Sequence, residues 1–292
     1  MNLEKSASEV LRETSRTFYL SIMRLPPHIR EAVMGSYLAM RAIDEIEDHE
    51  QLDKAIKVGL LNAISIDFQE SLPCAPQRLS LTLKNYDDVL PEVTNRLEDW
   101  VNLPPTSISP CIYDAVAHMA KRMAYWVERD WQMQTRRDLD RYTYSVAGAV
   151  GALLSKLWAW HDGTRSRRRD AVGYGRGLQA VNILRNRQED LARGVDFFPD
   201  GWTDDVFLSY AKSKLLQGDV YVDGFPPGPA REFCRGPQIL AYATLEALAR
   251  GESKVSRSVV KAVFEVSSDS GLPTADEILE LATNPLHAFE IV

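Results

Sequence analysis

A chain of 292 residues with a formal net charge of -7 lacks the basic surface that nonspecific nucleic-acid binding requires, and its 45% hydrophobic residues suffice for a substantial core. Its three cysteines, Cys74, Cys111 and Cys234, contain no CxxC pair, which argues against a disulfide framework and for a reducing compartment. The opening stretch MNLEKSASEVLRETSRTF has no apolar core of a secretory signal, and no window of about 18 uninterrupted apolar residues occurs; the expected location is cytoplasmic, with peripheral membrane contact left open.

Apolar residues recur at helical spacing along most of the chain, while strand-like alternation is scarce. The expectation is an all-α single domain over residues 1–292, weakly patterned after about 267. The first strong helix candidate, IREAVMGSYLAMRAIDEIED, follows the breaker LPPH. On a helix Tyr37, Arg41, Asp44 and Asp48 share one stripe. Carboxylates one turn apart repel unless a cation sits between them, and Mg²⁺ takes carboxylates together with water and phosphate oxygens. Taken alone, the pattern reads more readily as a solvated acidic helix end with Arg41 as an intrahelical partner.

The next candidates are YDAVAHMAKRMAYWVERDWQM and YSVAGAVGALLSKLWAWH, where Ala and Gly permit close helix packing. The basic run RSRRRD that follows reads as a solvated loop. Then VGYGRGLQAVNILRNRQEDLARG, ended by Gly194, carries Gln179, Asn182, Asn186 and Asp190 at spacings of three, four and four. All four offer oxygen ligands, and Arg185 lies beside them; alone, this too describes a polar surface face. A last candidate is PQILAYATLEALARG. The breaks LPCAPQ, NLPPTSISP, FFPDGW and DGFPPGPA are short, and none reads as an interdomain linker. The histidines show no ligand spacing, the tryptophans read as packing, and no GxGxxG, Walker motif or nucleophile elbow occurs. Two oxygen-bearing ladders on separate helices, each embedded in apolar sequence, suggest two metal-binding walls facing one cavity, with an anionic substrate, most naturally a diphosphate, between them.

The segments SRTFYLSIMRLP, YLAMRAIDEIED, YTYSVAGAVG, GLQAVNILRNRQED, FFPDGW and FCRGPQILAYATL occur in this order from about Ser15 to about Leu245. Together they resemble the successive motifs of the squalene/phytoene synthase family, the head-to-head prenyl synthases, with wording closest to squalene synthase. The resemblance implies an all-α isoprenoid synthase fold, a helical bundle around a central cavity. It implies Mg²⁺ and an allylic prenyl diphosphate, farnesyl diphosphate above all, two molecules of which condense to presqualene diphosphate and in some members go on to squalene or dehydrosqualene. Asp44 and Asp48 would hold one part of the metal cluster, and Asn182, Asn186 and Asp190 the other. Arg16, Arg41 and Arg185 would contact diphosphate oxygens, assisted by Ser15, Tyr37 and Gln179. Phe18, Val146, Leu153 and Phe233 would line an apolar cavity that shields a carbocation from water. Tyr142 matches a tyrosine the family uses near the departing diphosphate, for proton removal or for assisting departure.

The chain departs from the family in three places. Asn186 stands where the second motif normally has aspartate, a change that implies weaker metal affinity or an altered reaction. The basic segment used for NADPH is replaced by SKVSRSVVKAVFE, with Lys254, Arg257 and Lys261 but not the motif, so NADPH use stays open; the membrane anchor of eukaryotic relatives is not expected. The stretch between Trp202 and Phe233 is short for the family, which leaves chain-length preference open. Two alternatives follow: a class I terpene cyclase or altered prenyltransferase on the same scaffold, and a non-catalytic partner subunit. Peripheral membrane contact would serve product release.

Overall fold

The computed structural model describes residues 3–70, 75–252 and 255, without the side chains of Arg16, Thr17, Glu70, Ala75 and Pro76. No strand occurs among the described residues. The chain forms α1 (Leu3–Thr14), α2 (Arg16–Met23), α3 (Pro27–Asp48), α4 (Lys54–Glu70), α5 (Ala75–Leu83), α6 (Glu92–Asn95), α7 (Leu97–Asn102), α8 (Ser109–Glu128) and α9 (Arg136–Thr143). A π-helical turn, Tyr144–Gly148, then leads into α10 (Ala149–Asp162), followed by α11 (Arg168–Ala192), α12 (Asp204–Asp223) and α13 (Pro229–Ala249). No described helix is long and apolar enough to cross a membrane.

The central element is α3. Pro27 starts it, where a missing N–H costs nothing. Burial is then nearly continuous from Ile29 to Ile46, so the helix is enclosed on most sides rather than amphipathic. It belongs to the larger of two apolar clusters, which spans α1, α3, α4, α8 and α10 and reaches Phe233 and Cys234 of α13. The smaller cluster gathers Trp126, Tyr142, Phe197, Phe198, Phe207 and Tyr210 around the C-terminal half of α11. Trp131, Val146 and Leu178 pack against both and mark the seam between them, where Trp131 also bonds to Glu47 of α3.

The small residues of YSVAGAVGALL do permit close packing. A Cβ on Gly151 would come within 2.0 Å of the Ala171 carbonyl oxygen, and one on Gly175 within 2.0 Å of that of Ala147. Both obstacles are backbone, so neither contact relaxes by rotating a side chain. Gly175→Ala is expected to cost about 3 kcal/mol and to lower the melting temperature by roughly 5–10 °C. Thermal denaturation checks this, and an unshifted transition would contradict the close approach.

Three boundaries differ from the sequence expectation. The helix read through Met133 stops at Glu128, because Asp130 and Trp131 take left-handed backbone conformations (φ 51° and 50°). The helix read from Tyr144 begins with a π turn, a local widening of the helix that recurs at functional sites. The helix read from Pro237 begins eight residues earlier at Pro229 and carries Pro237 inside it. Pro237 removes one backbone donor. Next to that defect, the Tyr174 hydroxyl donates to the Cys234 carbonyl at 3.0 Å and ties α13 to α11.

Candidate metal centre

Both stripes lie at the C-terminal ends of their helices. Asp44 and Asp48 occupy the last two turns of α3, and Asn186 and Asp190 those of α11. Neither helix has a basic residue in its last turn. The negative end of each helix dipole therefore points the same way as its carboxylates, an arrangement unfavourable without a cation.

The structure supplies one from the chain. Arg193 follows α11 and donates from Nη1 to Asp48 Oδ1 at 3.0 Å and from Nη2 to Asp190 Oδ1 at 2.6 Å. One guanidinium thus joins the two stripes. Burial opposes its charge, but the hydrogen bonds to Asp190 and Asp48 more than offset this and hold it above the usual guanidinium range. Burial raises the carboxyl of Asp190, with Arg193 pulling the other way. Burial also pushes Asp44 up to about 7, against the pull of Arg41 and helped by repulsion from Asp48. Asp44 and Asp190 sit where protein has replaced much of the water, and a divalent ion would restore their charged form, whereas Asp48 is exposed. Among the described residues no three His, Cys, Asp or Glu side chains already converge as a metal cage. The fit rests on the stand-in cation and on carboxylates placed at the negative ends of both helices.

Around this bridge the sequence-predicted residues fall as follows. Ser15 caps α2, accepting from the Phe18 N–H at 3.1 Å, and hydrogen bonds to Tyr37. Burial raises the Tyr37 hydroxyl above its ordinary value. Arg41 pairs with Glu45, and its Nε is buried without an acceptor among the described residues. Arg16 opens α2, but its side chain lies outside the described residues. Gln179 is half-buried on α11, Asn182 and Arg185 are exposed, and Arg185 Nε donates to Asn186 Oδ1 at 3.0 Å. Phe18 lies 5.7 Å from the Tyr37 ring and 6.3 Å from that of Phe233, which meets Trp158 edge-on at 5.5 Å. An apolar path therefore leads from the α3 stripe into the larger core, where Leu153 is also buried; half-buried Val146 touches both clusters. Lys254, Arg257 and Lys261 lie outside the described residues.

Tyr142 is buried in the smaller cluster, within electrostatic reach of acids on both helices. A reciprocal cap between Thr135 and Asp138 starts α9 and fixes its register. The Tyr142 ring stacks on Phe197 at 4.6 Å and meets Trp126 edge-on at 5.5 Å. Burial raises its hydroxyl well above the usual phenol value, and the charges of Glu47, Asp48, Asp44 and Asp190 add to this. Feeling carboxylates of both helices, the hydroxyl stays protonated at neutral pH.

Sequence reasoning missed several partners. Arg193 itself sits one turn beyond Asp190, and a basic residue at that spacing was the available signal. Glu47, buried on α3, accepts from Trp131 Nε1, while Lys57 Nζ donates to the Glu47 carbonyl at 2.9 Å. Burial raises the Glu47 carboxyl, with Asp48 adding repulsion. No pattern pointed to Trp131, because it reaches Glu47 only through the left-handed turn.

The sequence pattern of the squalene/phytoene synthase family matches residues 11–209. Squalene synthase of Eremothecium gossypii is 29% identical over 88% of this chain, and that of Schizosaccharomyces pombe 30% identical over 83%. The chain spans 64% and 59% of those two proteins' lengths, so it corresponds to about two-thirds of such relatives or less. Among solved structures, the complex of TcSQS with the ligand E5700 superposes with a TM-score of 0.72 at 20% identity, covering 99% of this chain and 98% of that one. Squalene synthase HpnC from Alicyclobacillus acidocaldarius superposes at 0.55, with 18% identity over 85% of this chain and 95% of that one. At these identities the structural likeness speaks for the all-α fold alone. With the family pattern covering most of the chain, and that fold beneath it, this protein belongs to the squalene/phytoene synthase family.

Proposed function

We propose that the protein is a Mg²⁺-dependent prenyltransferase that joins two farnesyl diphosphates head to head to form presqualene diphosphate. The observation that supports this reading is the cation bridge between Asp48 and Asp190, since one positive charge joins a carboxylate of each stripe. Asp44, Asp48, Asn182, Asn186 and Asp190 are the residues that would hold Mg²⁺, whose contribution when bound is to neutralise the diphosphate and turn it into a leaving group. Arg41 is aimed by its position on the same stripe, and its buried Nε suits an anionic oxygen. Tyr142, held protonated, donates to the departing diphosphate. Phe18, Phe233 and Trp158 keep water from the allylic cation, and their ring faces stabilise its charge.

Product analysis of purified protein with farnesyl diphosphate and Mg²⁺, with and without NADPH, tests this. A C30 diphosphate or C30 hydrocarbon is expected. Only C15 hydrocarbons or alcohols would favour the terpene cyclase reading, which Asn186 motivates as a neutral middle ligand. Failure to release diphosphate would favour a non-catalytic subunit.

Asn186→Asp separates metal affinity from reaction choice. The amide brings an oxygen but no charge, so the aspartate variant is expected to reach half-maximal rate at several-fold lower Mg²⁺ with the same product. An Mg²⁺ titration with product analysis checks it. Unchanged Mg²⁺ dependence with a new product would mean that Asn186 steers the reaction.

A further inference from the structure

Arg193 is held in place by the way α11 ends. Gly194, at φ 82°, takes the left-handed conformation after the helix cap. The Val195 N–H bonds back to the Asp190 carbonyl at 3.0 Å, and the Gly194 N–H to that of Leu191 at 3.0 Å. This pair is the Schellman arrangement, a rigid helix stop. It sets Arg193 immediately beyond Asp190, its guanidinium forking to one carboxylate on its own helix and one on α3.

Acids outnumber bases around this guanidinium. Asp44, Glu47, Asp48 and Asp190 are the acids of the seam, with Glu189 beside Asp190 and Glu50 near Lys57; Lys57 is the neighbouring base, and Glu45 is engaged by Arg41. Asn186 contributes no charge. Arg193 therefore offsets one of these negative charges, and it engages an oxygen of both walls at once. A metal ion would compete with the closed fork for those oxygens. A diphosphate brings negative charge of its own, to which guanidinium forks bind with two parallel hydrogen bonds.

We propose that Arg193 is a resident counter-cation that makes metal binding conditional on diphosphate: it closes the two walls in the free protein and is drawn off Asp48 and Asp190 when a diphosphate arrives. This rests on the metal-wall reading above. It predicts positive coupling between metal and diphosphate that depends on this one side chain, and by linkage each ligand strengthens the other equally.

The test is Mn²⁺ binding followed by electron paramagnetic resonance of free Mn²⁺, with and without inorganic pyrophosphate, on the full chain and on Arg193→Gln. Circular dichroism confirms that each variant is folded. In the unaltered protein, Mn²⁺ alone is expected to bind weakly and pyrophosphate to tighten it. Arg193→Gln is expected to bind Mn²⁺ alone roughly 10-fold more tightly and to lose most of the tightening. Arg193→Lys, which keeps the charge, should stay within about threefold of the unaltered protein for Mn²⁺ alone. Unchanged or weaker Mn²⁺ binding by folded Arg193→Gln, with pyrophosphate coupling intact, would overturn the latch while leaving the metal walls standing. An Arg193→Lys gain as large as that of Gln would overturn charge competition as its basis. No Mn²⁺ binding by any of the proteins, even with pyrophosphate, would remove the metal walls and the latch together.

Discussion

Asp44→Ala is expected to lower kcat/KM by roughly 10³-fold or more while leaving the protein folded. The loss follows from its place on α3. It shares a stripe with Asp48 at the negative end of the helix dipole, so it supplies charge that the metal-bridged diphosphate needs. The retained fold follows from the same geometry. Burial and Asp48 push its carboxyl up to about 7, which means the native state holds this group at a cost. Above that pH the folded protein carries a carboxylate that the unfolded chain solvates better, so removing it should leave stability unchanged or slightly raised. A melting temperature equal to or above that of the unaltered protein, together with lost turnover, identifies a functional acid rather than a structural one. Turnover within about tenfold of the unaltered protein would remove Asp44 from the machinery.

Tyr142→Phe is expected to reduce kcat by about 10²- to 10⁴-fold with little change in KM. The substitution keeps the ring, so the stack on Phe197 and the edge contact with Trp126 persist, and the melting temperature should hold. What disappears is a single hydroxyl, kept protonated by burial and by carboxylates on both walls. That environment favours a donor over a base, so the role assigned here is proton donation to the departing group. A Phe variant with normal kcat would reduce Tyr142 to packing. One with normal kcat and a raised KM would make it a binding group instead.

How much of this was legible in the sequence depends on the range of the interaction. The stripes Tyr37–Arg41–Asp44–Asp48 and Gln179–Asn182–Asn186–Asp190 follow from helical periodicity, and the structure places each along one helix. The close packing of the Gly and Ala residues in YSVAGAVGALL was equally visible, because small residues at helical spacing have few other uses. Helix ends were less legible. The turn at Asp130 and Trp131 requires left-handed backbone at two successive residues; Asp tolerates it, but Trp does not favour it, and no residue preference announces the pair. Pro237 normally marks a helix start, yet α13 runs through it, with Tyr174 bonded to the carbonyl of Cys234 beside the missing donor. Arg193 and Trp131 were missed for a common reason. Each contacts a residue distant in sequence, Asp48 and Glu47 respectively, and such pairings appear only when the helices are assembled.

The most direct test of the two-wall arrangement is anomalous scattering from crystals grown with Mn²⁺ and a non-ionisable farnesyl thiodiphosphate. Peaks between the α3 acids Asp44 and Asp48 and the α11 ligands Asn182, Asn186 and Asp190, with the thiodiphosphate touching them and its chain running toward Phe18 and Phe233, are the predicted result. Metal and diphosphate bound elsewhere on the protein, with Arg193 still joining Asp48 to Asp190, would contradict it.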